Sequence, residues 1–272
     1  MTDSGMAAVD GGELYYESAG EGRPVVLSHA GFLTHRMWDE QFALLARTHR
    51  VVRFDARGHG RSSVVTEEYR PYEDLRQLLD FLRIDRVTIV GNSLGGRTGV
   101  DFALTCPERT AALVTVAGGA SGMDIHDPAI VALNQRLATV TTVEDGLEIF
   151  LRMWVDGPRR TPDQVDPAVR ELCRRLAAET ASRHNIMATF QSMREVRAID
   201  RLEEVAVPVL AMVGDLDATD IEDIAERLGK RGRKVLIPGA GHMISLEQPE
   251  IFNRTLLDFL AGQESRSRRN SG

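Results

Sequence analysis

Ser93 stands in the pentapeptide Gly91-Asn92-Ser93-Leu94-Gly95, directly after Val87-Thr88-Ile89-Val90. A serine hydroxyl is a weak nucleophile near neutral pH and needs a base within hydrogen-bond reach. His242, in the loop Pro238-Gly239-Ala240-Gly241-His242, is the candidate base. A base of this kind needs an acid that fixes its tautomer and stabilises the imidazolium. Asp217 of Gly214-Asp215-Leu216-Asp217 is the candidate, with Asp215 and Asp124 as alternatives. The chain order serine, acid, histidine is one of the known orders for such a triad. The chemistry is attack of a serine oxygen on a carbonyl carbon, which needs two N–H donors for the oxyanion. Leu94, next after the nucleophile, and Phe32, in the loop after Val25–Ser28, are the expected donors.

The elements around these residues must bring them to one edge. Val87–Val90 reads as a short buried strand, and Leu94 to about Cys106 as a helix. Strand, tight turn and helix form the context of a nucleophile elbow, in which Gly91, Gly95 and Gly96 allow close backbone approach. Asp10-Gly11-Gly12 reads as a hairpin turn, and Pro24–Ser28, Arg50–Phe54, Ala111–Ala117, Val207–Val213 and Lys234–Ile237 read as further strands. Helices are expected at Met37–Arg47, Tyr72–Arg83, Asp220–Leu228 (with Thr219 and Glu222 as a capping box) and Pro249–Leu260. Strands alternating with helices imply a doubly wound, mostly parallel α/β sheet. From about Ala120 to Ala198 only helical patterns occur, with N-cap signals at Asp127-Pro128, Thr142/Asp145 and Asp166-Pro167. The expected division is a core of 1–118 with 199–262, a helical cap at 119–198, and a disordered tail at 263–272.

Composition narrows the class. The 272 residues are 43% hydrophobic, ample for a sizeable core, and carry a net charge of −7, which argues against a nucleic-acid surface. Cys106 and Cys173 suggest no disulfide framework, and no histidine pair has metal-ligand spacing. The N-terminal stretch has no signal-peptide pattern and no apolar run reaches a membrane span, so a cytoplasmic location is expected. No metal, nucleotide or flavin motif is visible, and no cofactor is expected. Composition does not indicate an oligomeric state.

Four motifs, His29-Ala30-Gly31-Phe32, Asp55-Ala56-Arg57-Gly58-His59-Gly60-Arg61-Ser62, the Ser93 elbow, and Gly241-His242-Met243 with its upstream Gly214–Asp217, follow in order. With them the chain resembles the α/β-hydrolase superfamily over about residues 13–260, and is similar to bacterial carboxylesterases and enol-lactone hydrolases. The resemblance implies an eight-stranded sheet with a helical cap and a small-molecule ester or lactone substrate. His29 and His59 are expected to brace the oxyanion loop, and Arg57 with Asp55 to hold the neighbouring turn. His35, His49, His126 and His184 read as surface or cap residues. Trp154, Phe150, Met153, Met187, Phe190 and Met243 are candidate pocket residues.

The departures also discriminate. Dehalogenases and epoxide hydrolases resembling this frame use an aspartate where this chain has Ser93. The cap has no tyrosine to activate an epoxide and no lysine of the kind used by hydroxynitrile lyases, since Lys230 and Lys234 lie beyond it. Carbon–carbon hydrolases of the family usually carry a tryptophan after the catalytic histidine, where this chain has Met243; that alternative is weakened but stands.

Overall fold

The computed structural model describes residues 2–230 and 232–270. Eight strands, β1 (Asp3–Val9), β2 (Gly12–Ala19), β3 (Pro24–Ser28), β4 (Arg50–Phe54), β5 (Val87–Asn92), β6 (Thr110–Val116), β7 (Val209–Gly214) and β8 (Arg233–Ile237), form one sheet in the order β1-β2-β4-β3-β5-β6-β7-β8. β1 and β2 form the expected hairpin, with Gly11 at φ +74° in its turn, and β2 is antiparallel to β4. The remaining neighbours are parallel. β5 and β7 are buried along their whole length, which is why they read as apolar runs rather than as alternating patterns.

Helices α1 (Asp39–Leu45), α2 (Pro71–Phe81) and α3 (Leu94–Thr105) connect the first parallel strands. Between β6 and β7 the chain adds no strand to the sheet. It passes through α4 (Pro128–Leu137), α5 (Val143–Phe150), a π-helical turn at Leu151–Asp156, α6 (Pro167–Ala181) and α7 (Ile186–Gln191). Asp127, Thr142 and Asp166 accept hydrogen bonds from first-turn amides of α4, α5 and α6. This satisfies donors that a helix start leaves free. α8 (Thr219–Gly229), α9 (Ile244–Glu247) and α10 (Pro249–Asn270) complete the chain.

Two local expectations are corrected. The residue before α8 is Ala218, so Thr219 is already helical and makes no capping box; Asp217 accepts the Ala218 amide at 2.8 Å instead. The last helix does not end at Leu260. Residues 263–270, expected as a disordered tail, continue it, because no proline interrupts them and extending an existing helix costs little. Residues 271 and 272 lie outside the described residues. Among the described residues no helix is long and apolar enough to cross a membrane, and no group of three or more His, Cys, Asp or Glu side chains is placed to hold a metal ion.

Candidate active site

Parallel strands run the same way, so the loops after β3, β5, β6, β7 and β8 open at one edge of the sheet. At the end of β5 the backbone turns sharply into α3. Ser93 has φ 51° and ψ −109°, a left-handed conformation that costs a non-glycine residue on the order of 1–3 kcal/mol. Its amide donates to the Val116 carbonyl at 3.0 Å, and its carbonyl accepts from Arg97 at 2.9 Å. The flanking glycines are required for space. A Cβ at Gly95 would sit 2.1 Å from the Ser28 carbonyl oxygen, and one at Gly91 would sit 2.3 Å from the Gly95 backbone. The amide of Leu94, first in the helix, makes no hydrogen bond among the described residues, as expected at a helix N-terminus.

The loops after β7 and β8 bring Asp217 and His242 together. His242 Nδ1 lies 2.9 Å and 3.1 Å from the two Asp217 carboxylate oxygens, and both side chains are almost wholly buried. An ionised carboxylate only accepts, so Nδ1 carries the proton and Nε2 keeps its lone pair. That Nε2 is buried and has no hydrogen-bond partner among the described residues. Ser93 and His242 line the same cavity. The two alternative acids lie elsewhere: Asp215 accepts the Gly239 amide at 2.8 Å, and Asp124 is exposed. Asn92 was not singled out from the sequence. It is fully buried and donates to the carbonyls of Val116 (3.0 Å) and His242 (3.2 Å), tying the serine's strand to the histidine's loop. Its place beside Ser93 was the only sequence signal.

The loop after β3 carries the two histidines' partners. Phe32, at φ 68°, donates its amide to His59 Nε2 at 3.2 Å, so this donor is already engaged. The Gly31 amide, one residue earlier on the cavity wall, makes no hydrogen bond among the described residues. His59 Nδ1 then donates to the Arg57 carbonyl at 3.1 Å. His29 accepts the Ala56 amide on Nε2 (2.9 Å) and donates from Nδ1 to the Ala30 carbonyl (2.8 Å). Both rings are buried and therefore favoured neutral: desolvation lowers the His29 pKa and takes that of His59 down to about 3. Arg57 does not pair with Asp55. It binds Asp74 through two nitrogens at 2.7 and 2.9 Å, while Asp55 accepts from His35 and from the Arg61 amide. His35 and His49 are buried in the core rather than on the surface, whereas His184 is buried within segment 119–198 and His126 is exposed there against Asp220.

The cavity at Ser93 has a volume of about 200 Å³. Phe150, Trp154, Phe190 and Met243 line it, and the centroid of the Trp154 ring lies 4.6 Å from that of the His242 ring. Met153 and Met187 do not line it. Trp154 and Met153 are neighbours on the π-helical turn, and Met153 points into the core, whereas Met187 is 40% exposed. Arg97, one turn beyond Ser93, is the cation on the wall, and it is ion-paired with Glu195.

Residues 25–255 match the model of the Alpha/beta hydrolase family, and the chain belongs to that family. Its relatives differ in the bond they cut. A 2-hydroxy-6-oxononadienedioate/2-hydroxy-6-oxononatrienedioate hydrolase of Paraburkholderia xenovorans (strain LB400) is 30% identical over 266 residues, 92% of this chain and 91% of the relative. Carboxylesterase YbfK of Bacillus subtilis is 26% identical over 251 residues, 88% of this chain and 80% of the relative. The crystal structure of the enol-lactonase from Burkholderia xenovorans LB400 superposes with a TM-score of 0.75 at 26% identity, covering 94% of this chain and 100% of that one.

Proposed function

We propose that this hydrolase cleaves a carboxylic ester or lactone through an acyl-enzyme on Ser93. The observation that carries this reading is the unpartnered, buried His242 Nε2, held by Asp217 and facing the cavity that Ser93 lines. In the reaction, Ser93 Oγ attacks the substrate carbonyl while His242 Nε2 takes the hydroxyl proton. Asp217 stabilises the imidazolium. The amides of Leu94 and Gly31 hold the oxyanion, Gly31 replacing Phe32, whose amide is bound to His59. His242 then protonates the leaving oxygen, activates water, and returns to its starting state as the acid departs. One such donor is typically worth about 3 kcal/mol of barrier. Helical segment 119–198 serves as the cap over a core of 1–118 and 199–262, and its Phe150, Trp154 and Phe190 shape the acyl pocket.

Fluorophosphonate labelling with the adduct located by mass spectrometry tests this directly. Label is expected on Ser93 of the wild type and absent in His242→Ala. Ser93→Ala is expected to lower turnover on the order of 10⁶-fold, as for other serine triads. Near wild-type turnover in that variant would overturn the mechanism. The dienedioate hydrolase among the relatives favours a second reading, hydrolysis of a carbon–carbon bond on the same triad. Product analysis after turnover in deuterated water separates the two: carbon–carbon cleavage releases a fragment with a new carbon–deuterium bond in place of the broken carbon–carbon bond, whereas ester or lactone cleavage releases an acid and an alcohol or enol with the carbon skeleton of each part intact.

A further inference from the structure

His242 sits in a loop with no regular secondary structure, yet it must hold Nε2 in place for the proton transfer. Asp217 fixes the ring and Asn92 the carbonyl. The amides on either side of the histidine, Gly241 and Met243, both donate to the carboxylate of Glu247, each at 3.1 Å. Glu247 closes α9 and folds its side chain back over the loop. Its counter-ion is Arg160, from the helical segment between β6 and β7; both side chains are nearly buried, at 5% and 7% exposed. The remaining guanidinium nitrogens donate to the carbonyls of Asp156 (2.9 Å) and Val155 (2.8 Å). Those carbonyls belong to the π-helical turn that also places Trp154 against the His242 ring.

Gly241 supplies independent support. It does not use a left-handed backbone, so conformational freedom is not what it provides. A Cβ there would lie 2.2 Å from Arg160 Nη2 and 3.3 Å from Glu247 Oε1, so the glycine makes room for this ion pair.

We propose that Glu247 and Arg160 are positioning residues for His242: Glu247 grips the amides on both sides of the histidine, and Arg160 fastens that grip to the cap. The helical segment thereby shapes the pocket and also sets the placement of the general base. The proposal rests on His242 acting as that base. A buried carboxylate stripped of its cation is strongly unfavourable, so neither partner is expected to work without the other.

The test compares Glu247→Ala, Glu247→Gln, Arg160→Met, Gly241→Ala and the Arg160→Met/Glu247→Gln pair. The first readouts are kcat and KM on an ester substrate. The second is the low-field proton resonance of His242 Nδ1–H, assigned by its loss in His242→Ala. Glu247→Ala is expected to lower kcat about 10–100-fold, the scale of a misplaced reacting group, with KM within about twofold. Its His242 resonance should shift or broaden. Glu247→Gln, which keeps an oxygen for the amides, should recover part of the loss. The double variant should be no worse than Arg160→Met alone, because the two act as a unit. Gly241→Ala, which retains both charges but displaces the guanidinium, should reproduce the loss even if Glu247→Ala fails to fold. Wild-type kcat and an unchanged resonance in folded Glu247→Ala or Gly241→Ala would overturn the proposal, as would a loss confined to KM. The resonance reports the grip without any turnover. Failure of the hydrolase reading itself would appear separately, as an unlabelled Ser93.

Discussion

At the residue scale the site depends on which nitrogen of His242 carries the proton. Asp217 accepts from Nδ1 with both oxygens and is itself held by the Ala218 amide, so the carboxylate cannot swing away. Asp217→Asn tests this with little change in shape. The amide nitrogen of asparagine can donate to Nδ1, which favours the tautomer protonated on Nε2 and leaves no lone pair facing Ser93. A loss in kcat on the order of 10⁴-fold is expected, with the fold retained, as for the same exchange in other serine triads. A loss of less than tenfold would show that Asp217 is not the triad acid. The same logic separates Gly31 from Phe32: neighbouring amides differ because one of them already has a partner in His59.

At the element scale, the strand–turn–helix at Ser93 works only because two backbones touch. Gly95 lies against the Ser28 carbonyl of β3, so the elbow helix is pressed onto the strand that leads into the Gly31–Phe32 loop, the proposed oxyanion loop. A methyl group there cannot be absorbed by a side-chain rotation, since the contact is backbone on both sides. Gly95→Ala is expected to cost at least about 3 kcal/mol, the upper end for overpacking. For a chain of this size that corresponds to a fall in Tm of about 6–12 °C. It should also reduce fluorophosphonate labelling, because the elbow and the oxyanion loop would be pushed apart. Calorimetry showing a wild-type Tm would refute the close contact.

At the scale of the whole molecule, the loops at the active edge are held by buried polar groups that must keep one charge state. His59 accepts the Phe32 amide only while neutral, and burial takes its pKa down to about 3 from the usual 6.5 of a histidine. Below pH 6.5 the unfolded chain therefore binds a proton that the folded chain refuses. Stability from this group is complete above about pH 6.5 and falls as the pH drops toward 3, by up to about 1.4 kcal/mol per pH unit. His29 acts in the same direction. Asp101, raised from 3.8 to about 6 chiefly by burial, acts in the opposite one between those values. His59→Gln isolates the histidine, since glutamine can still accept the Phe32 amide without titrating. The Tm difference between wild type and His59→Gln is expected to shrink as the pH falls from 7 to 4; a constant difference would refute the assignment.

The strand–turn–helix at Ser93, the glycine-rich loop at His242 and the alternation of apolar strands with helices were legible in the sequence, because strand burial and turn sterics leave local marks on residue type. So were the helix starts at Asp127, Thr142 and Asp166, where a side chain caps its own backbone. Partners far apart in the chain leave no such mark. That Arg57 binds Asp74 and not Asp55, that the Phe32 amide is engaged by His59, and that Met153 points away from the cavity while its neighbour Trp154 faces it were decided by packing between elements. Glu247 reads in sequence as an ordinary helix carboxylate and Arg160 as one of 33 basic residues. Only the tertiary structure, by burying them together beside Gly241, places them against His242.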